Sequence, residues 1–156
     1  MLYKYSNLYV GKDIDWFAVD EHNEIAYFAS GGGVLPDSVL ENFNAFKVIS
    51  AYLWDLPDND NEIIINPLLE EIVKFNSQKE RDQYLKAFTL MAKHGIYSYD
   101  KTILMADGDY QYHLVASPVK PGKINELPSS VVEVLKKTQS KCNFSDNSRI
   151  YSNEIA

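Results

Sequence analysis

The first patterned segment of the chain is a pair of short apolar runs separated by a polar connector. Residues 14–20 read IDWFAVD and residues 24–30 read EIAYFAS, and both are rich in aromatic and β-branched side chains. The connector, Glu21-His22-Asn23, is typical of a turn, so the pattern predicts a β-hairpin. Alternate residues are apolar on both faces of the first run, so we expect this hairpin to be covered on both sides.

Longer periodic segments predict helices. Over residues 36–57 apolar side chains recur at helical spacing, and we expect one helix with Pro36 in its first turn. Ser77 and Glu80 have the S-x-x-E form of a capping box and Gly95 suits a left-handed helix cap, which predicts a second helix between them. A short helix is expected within residues 67–75, and a third amphipathic helix in ELPSSVVEVLKK, residues 126–137. The stripe on the first helix comprises Val39, Phe43, Phe46, Ile49 and Leu53.

The remaining patterned segments predict strands. Residues 96–105 and 110–117 flank Asp107-Gly108, a strong hairpin-turn signal, and we expect Pro118 and Pro121 to end their pairing. Short strands are expected at residues 63–65 and within residues 144–152. Together these elements predict an α+β fold, with a mostly antiparallel sheet built from hairpins and packed against two or three amphipathic helices. The length predicts that residues 1–156 form a single domain.

Composition narrows the class of protein. Apolar residues make up 46% of the chain, enough for a core that needs no disulfide or metal. The single Cys142 cannot form an internal disulfide, which favours a reducing compartment. The start of the chain is polar and aromatic rather than typical of a secretory signal, and no run approaches about 18 consecutive apolar residues. We therefore expect a cytoplasmic protein with no membrane partner.

The net charge of −7 is concentrated in two segments. Residues 13–46 contain seven acids and no Lys or Arg, and residues 55–82 contain eight acids and three bases. These segments would repel a phosphate backbone, so nucleic acid is not expected as a ligand. A basic protein partner would be attracted to them, although a solubilising surface is the simpler interpretation of any single acid.

Three consecutive glycines interrupt the pattern in YFASGGGVLP, residues 27–36. A phosphate-binding P-loop requires G-x-x-x-x-G-K-[ST], but here Gly33 is followed by Val34 and Leu35, and the dinucleotide pattern G-x-G-x-x-G is also absent. We expect the glycines to permit positive φ at a sharp corner between the hairpin and the first helix. Two alternatives are that a partner's backbone approaches Gly31, Gly32 and Gly33, or that they hold an anion in a small regulatory or ligand-binding domain.

Residues that could carry catalysis or bind a metal are scattered. The three histidines lie far apart in sequence, and Cys142 has no C-x-x-C partner. The acidic stretch DLPDNDNE lacks the central glycine and the spaced glutamate of a calcium-binding loop, and the chain has no G-x-S-x-G motif. We predict a protein that is not an enzyme and that has no cofactor and no metal.

Aromatic side chains flanked by acids suit an interface for a basic partner, because charge steers the encounter and a desolvated ring anchors the complex. Such a pattern occurs at the end of the first predicted helix. We predict that partner contacts come from Trp54 as the anchor and from Asp55, Asp58, Asp60 and Glu62. The hairpin acids Asp20, Glu21 and Glu24 are a second predicted contact set.

Three segments carry a resemblance to a known group of proteins. DWFAVDEHNEIAYFASGGG, AKHGIYSYD and YHLVASPVKP resemble a broad group of small bacterial proteins that includes immunity proteins of polymorphic toxin and contact-dependent growth inhibition systems. The resemblance spans residues 14–127 and transfers no functional residue. It implies a non-catalytic cytoplasmic antidote that binds and neutralises a cognate toxin domain. Because many secreted toxin domains are basic nucleases, an acidic surface could mimic the nucleic acid that they bind.

Overall fold

The computed structural model describes residues 13–58, 60–104 and 109–155. Its six strands form one sheet in the order β1–β2–β4–β5–β3, with β6 also paired to β5. The β2–β4 pair is parallel and the other pairs are antiparallel, so the predicted α+β fold with a mostly antiparallel sheet is confirmed. The strands are β1 (Asp15–Val19), β2 (Ile25–Ala29), β3 (Ile63–Ile65), β4 (Tyr97–Lys101), β5 (Gln111–Pro118) and β6 (Arg149–Tyr151).

Five α-helices accompany the sheet in the described ranges: α1 (Asp37–Glu41), α2 (Phe43–Trp54), α3 (Leu69–Ile72), α4 (Gln78–Lys93) and α5 (Ser129–Leu135). Helix α4 packs on β4 and β5, α2 packs on β1, and α5 packs on α2 and β1. Short 3₁₀ turns occur at Ile124–Glu126, Phe144–Asp146 and Ser152–Glu154.

The predicted hairpins and the cap of α4 are confirmed. Strands β1 and β2 pair in register from Asp15 with Ala29 to Val19 with Ile25, and nearly every residue in them is buried, as the two apolar faces predict. The Ser77 hydroxyl accepts the Glu80 N–H at 3.1 Å at the start of α4, and Gly95 after its end has φ of +86°. The predicted Asp107-Gly108 turn lies outside the described residues.

The prediction of one continuous helix over residues 36–57 is wrong, because the helix is divided at Asn42. The Asn42 backbone has φ of −125° and ψ of 31°, and its N–H donates to Val39 O rather than to Ser38 O. The Asn42 side-chain amide donates to Ser38 O at 2.8 Å instead. An Asn side chain that replaces a backbone donor in this way ends a helix locally. The predicted stripe nevertheless continues across the break.

One other predicted boundary shifts, because helix α3 covers only Leu69–Ile72 of the predicted segment. Pro118 is the last residue of β5, as predicted, and it still lies opposite Ile63 in the β3–β5 ladder. At a non-hydrogen-bonded position the missing N–H of proline leaves no ladder bond unmade.

Aromatic rings form the centre of the core. On one face of the sheet Trp16 stacks on Phe28 with ring centroids 4.1 Å apart, and Phe28 stacks on Tyr99 at 5.1 Å. The buried Trp16 indole donates to the Tyr112 hydroxyl at 3.2 Å, so its polar atom is satisfied. This stack joins β1, β2, β4 and β5 and fixes their relative register.

The triple glycine is a conformational device, as predicted. Gly31 and Gly32 have φ of +56° and +82°, which side-chain-bearing residues rarely adopt. A Cβ on Gly31 would lie 2.5 Å from Leu104 Cδ2, so the corner is also tightly packed. The corner turns the chain from the end of β2 toward α1 and forms one wall of a cleft.

Candidate functional site

Sheet pairing places two aspartates in one row beside the glycine corner. Asp15 lies opposite Ala29 in the β1–β2 ladder, and Ala29 lies opposite Asp100 in the β2–β4 ladder. The two carboxylates therefore flank the small Ala29 side chain. The Asp13 carboxylate lies close by and accepts the Gly31 N–H at 3.3 Å. Three acids from two chain segments thus converge at one end of the sheet.

Asp13, Ala29 and Asp100 border an open cleft of about 520 Å³. Aromatic rings form much of its wall, and Gly31 and Gly32 line one side. Among the described lining residues two are acidic and none is basic. The lining comprises Asp13, Tyr27, Ala29, Gly31, Gly32, Tyr84, Ala87, Phe88, Asp100 and Leu104, and we call it the acidic cleft.

Within the described residues, no Lys or Arg forms an ion pair with Asp13, Asp15 or Asp100. Burial raises the pKa of Asp100 from 3.8 to about 6, and the nearby Asp13 charge adds to the rise although Tyr84 and a backbone N–H oppose it. Burial also raises the pKa of Asp15, again with a contribution from Asp13. The buried ammonium of Lys101, the residue after Asp100, donates to Asp109 Oδ1 at 2.8 Å and to Ile103 O at 3.0 Å. The charge of Lys101 is therefore already paired.

Tyr84, His113 and Thr102 form a chain of hydrogen bonds that ends on the Asp100 carboxylate. The Tyr84 hydroxyl donates to Asp100 Oδ2 at 2.6 Å and lies 3.1 Å from His113 Nε2, so Nε2 carries the hydrogen and Tyr84 accepts it. His113 Nδ1 then accepts from the Thr102 hydroxyl at 3.1 Å. Burial, with a smaller effect of Arg149, lowers the pKa of His113 to about 4, so the imidazole is neutral at physiological pH.

The predicted anchor Trp54 lies at the edge of this region. Its indole N–H donates to Asp15 Oδ2 at 3.2 Å, and its half-buried ring packs edge-on against Tyr27 with centroids 5.3 Å apart. The Tyr27 hydroxyl donates to the other oxygen of Asp15 at 2.8 Å. A second hollow of about 510 Å³ is lined by Asp13, Asp15 and Trp54 together with apolar residues of α1 and α2 and with Lys47.

The acids that follow Trp54 lie in an exposed loop, described for residues 55–58 and 60–62, which we call the acidic loop. Asp55, Asp58, Asp60 and Glu62 are all exposed. His94 ties this loop to the end of α4, because its Nε2 lies 3.2 Å from Asp58 Oδ1 while its Nδ1 lies 3.2 Å from Leu53 O. Both ring nitrogens thus face oxygen atoms that can accept a hydrogen bond.

The hairpin acids occupy different environments. Glu21 is exposed, but Asp20 is only 2% exposed and Glu24 only 7%. The carboxylate of Asp20 accepts backbone N–H groups of His22, Glu24 and Phe144 at 3.0 Å each. Through these hydrogen bonds Asp20 links the β1–β2 turn to the 3₁₀ turn at Phe144–Asp146.

Asp20, His22 and Glu24 also bring possible metal-ligand atoms within 4.8 Å of one another. However, both Asp20 oxygens already accept backbone hydrogens, and Glu24 Oε2 accepts from Lys123 Nζ at 2.8 Å. The ammonium group of Lys123 thus already supplies a positive charge beside this cluster. We assign the cluster a role in holding the turn.

The acidic cleft also bears on the alternative of an anion at the glycine corner. The Gly31 N–H is occupied by Asp13, and Asp100 lines the same space. Both carboxylates would repel an anion beside Gly31 and Gly32. The geometry favours a cationic group at this position.

The sequence prediction found the acidic loop but missed the acidic cleft. Asp100 is far from Asp13 and Asp15 in sequence, and the parallel β2–β4 pairing together with the β1–β2 pairing brings it beside them. One signal was present: Asp100 is an acid within the otherwise apolar and aromatic run GIYSYD. A carboxylate in a buried strand is rare unless it is paired or functional.

Comparison with known proteins identifies no relative of this chain. No protein-family model matches it, and neither a curated protein nor a solved structure shows detectable similarity. In the described ranges, no helix has the length and apolar character needed to cross a bilayer.

Proposed function

We propose that this chain is a non-catalytic immunity protein of the cytoplasm, which binds and neutralises a cognate basic toxin domain. The observation that carries the proposal is the acidic cleft. Its carboxylates lie among aromatic rings with no base among the described lining residues, and burial already disfavours the charged form of Asp100. A Lys or Arg side chain from a partner would compensate these charges and pack on the rings.

The acidic loop supplies the second half of this proposal. Asp55, Asp58, Asp60 and Glu62 follow Trp54 in the chain and are exposed outside the cleft, and exposed acids of this kind accelerate the encounter with a cationic protein. A toxin that binds nucleic acid presents cations to phosphates, so carboxylates on a rigid surface can occupy the same cations. This mode of inhibition requires no bond to be made or broken. The resemblance in the sequence points to the same class of protein.

The direct test is co-expression with the product of the open reading frame next to this chain's gene, followed by calorimetric titration of the two purified proteins. We expect a stable complex and loss of the toxin's activity. The double variant Asp13→Asn/Asp100→Asn should weaken the complex at least about tenfold, because close charge pairs across interfaces contribute strongly to binding. Absence of any complex with the neighbouring product, or binding unaffected by the double variant, would refute the proposal.

The matched control is Glu133→Gln/Asp146→Asn, which removes the same net charge from exposed residues outside the cleft. It should leave affinity within about threefold, because surface charges away from the contact act mainly through long-range steering. The pH gives a second control. Affinity for the toxin should fall as the pH drops through about 6, where the Asp100 carboxylate takes up a proton.

A further inference from the structure

One edge of the sheet is open and preorganised for pairing. Strand β3 pairs with β5 on one side, and in the described ranges no strand pairs with it on the other. Its side chains are Ile63, Ile64 and Ile65, and the Ile64 side chain is 55% exposed. The strand contains no charged residue, proline or bulge, which are the usual features that block pairing at an edge.

The ladder shows which backbone groups are available. Glu62 O accepts from Val119 N at 2.8 Å, and Asn66 N donates to Val115 O at 2.9 Å. Since hydrogen-bonded and non-hydrogen-bonded pairs alternate along an antiparallel ladder, the peptide groups of Ile64 also face β5. The N–H and C=O groups of Ile63 and Ile65 therefore point away from the sheet.

Side-chain amides pin both ends of this strand. Asn61 donates to Lys120 O at 2.8 Å and accepts Lys120 N–H at 3.1 Å, so it extends the ladder beyond β3. Asn66 donates to Leu114 O at 2.9 Å and accepts the Leu68 N–H at 3.0 Å. A strand held in this way loses little conformational entropy when another strand binds.

The other edges of the sheet differ. The end of β1 is covered, because Val19 N donates to Thr138 O at 3.0 Å and Val19 O accepts from Ser140 N at 2.8 Å. Strand β6 carries the exposed Arg149. Only β3, among the described strands at an edge, combines an uncovered backbone with uncharged side chains.

Charge identifies the occupant. Residues 55–73, which include β3, contain six acids and no Lys or Arg. A second copy of this chain would bring its own six acids against these, so self-pairing is disfavoured. We propose that β3 accepts an extended basic segment of the partner protein, which adds to the sheet as a further strand. This inference rests on the proposed function, because it identifies how the cationic partner is held.

The partner strand would need a particular pattern. Backbone groups of every second residue would bond Ile63 and Ile65, and apolar side chains would cover Ile64. Lys or Arg residues toward one end of the strand would face the exposed Glu62, which directly precedes β3. Main-chain bonds then supply affinity, while the acids select a basic sequence.

The edge is tested with the full chain and a capped peptide of about seven residues in which Lys alternates with Val or Ile. Nuclear magnetic resonance follows the exchange of the three β3 amides with deuterated water. In the free chain Ile63 and Ile65 should exchange faster than Ile64. Addition of the peptide should slow exchange at Ile63 and Ile65 by at least about tenfold, because these amides become hydrogen-bonded. Unchanged exchange at both residues while the peptide binds would overturn the inference.

Two controls separate backbone pairing from charge attraction. The same peptide with N-methyl groups on alternate amides keeps its charge but cannot complete the ladder, and it should bind at least about tenfold more weakly. The variant Ile64→Lys should weaken peptide binding, whereas Val48→Lys, the same change in charge at a residue of α2 that is 71% exposed, should not. Equal binding of the methylated peptide, or equal effects of the two variants, would show adsorption to the acidic surface only.

The product of the neighbouring open reading frame distinguishes this inference from the proposed function. If that protein binds and depends on Asp13 and Asp100, but Ile63 and Ile65 keep their exchange rates and Ile64→Lys has no effect, the β3 edge is excluded and the proposed function stands. If the basic peptide protects Ile63 and Ile65 but the neighbouring product is not captured, the proposed function falls and the strand-accepting edge stands.

Discussion

Replacing Asp100 with asparagine should make the protein more stable at neutral pH. The asparagine side chain would keep an oxygen that accepts the Tyr84 hydroxyl hydrogen, but it would carry no charge into the acidic cleft. The wild-type carboxylate has a pKa of about 6 in the folded chain against an ordinary 3.8, mainly because of burial. A raised pKa means that folding disfavours the ionised form of Asp100.

The size of the effect follows from that difference. Because one pKa unit corresponds to about 1.4 kcal/mol, ionised Asp100 lowers the free energy of unfolding by about 3 kcal/mol. Below about pH 4 the carboxyl group is protonated in the folded and the unfolded chain alike, so the charge has no effect on stability. Between about pH 4 and 6 the folded chain binds more protons than the unfolded chain, so the wild type loses stability as the pH rises. Above about pH 6 the ionised carboxylate lowers the free energy of unfolding by its full amount.

Urea denaturation at a series of pH values and constant ionic strength measures this directly. The free energy of unfolding of Asp100→Asn minus that of the wild type should increase by about 3 kcal/mol between about pH 4 and 7.5. The matched control is Asp55→Asn, the same substitution at an exposed aspartate, which reports the loss of one surface carboxylate. A difference that does not vary with pH, or a variant that is less stable than the wild type at about pH 7.5, would refute the reasoning.

Two further predictions concern residues that hold the fold. Asp20→Ala should lower the free energy of unfolding by about 3–5 kcal/mol, because it leaves three backbone N–H groups without their acceptor, whereas Glu21→Ala at the exposed neighbour should change it by less than about 0.5 kcal/mol. Equal urea midpoints for the two variants would contradict the assignment of Asp20 to the turn. Gly95→Ala should cost more than about 2 kcal/mol, since φ is +86° and the new Cβ would lie 2.8 Å from Gly122 N. Gly122→Ala, whose Cβ would meet its nearest atom at 3.7 Å, should change stability by less than about 1 kcal/mol, and similar losses in both variants would argue against backbone strain at Gly95.

Local patterns predicted most of the elements because local chemistry determines them. The Ser77 cap, the left-handed Gly95 and the polar connector of the first hairpin act within a few residues of the chain. The division at Asn42 was missed because the apolar stripe continues on both sides of it. The helix ends because the Asn42 side chain donates to Ser38 O, and the spacing of the apolar residues does not reveal this hydrogen bond.

The candidate site was harder to predict, because burial of an acid depends on distant segments. Asp20 and Glu21 are adjacent in sequence, yet the first is buried and the second is exposed. Asp20 did carry one local signal, since an Asp whose carboxylate accepts the N–H two residues later forms a recognised turn. Asp100 also gave a local signal, because it is the one acid in the otherwise apolar and aromatic run GIYSYD. The convergence of Asp13, Asp15 and Asp100 needs the β2–β4 pairing, which no short pattern predicts.

That parallel pair also bears on how the chain folds. Residues 30–96 lie between β2 and β4, so pairing them closes a long loop before the Phe28–Tyr99 stack can form. Loop closure of this length is entropically unfavourable and slows folding relative to hairpin formation. The β1–β2 and β4–β5 hairpins can therefore form early, each with one half of the aromatic core uncovered. Their docking along β2 and β4 is the step that completes the core, and it assembles the acidic cleft at the same moment.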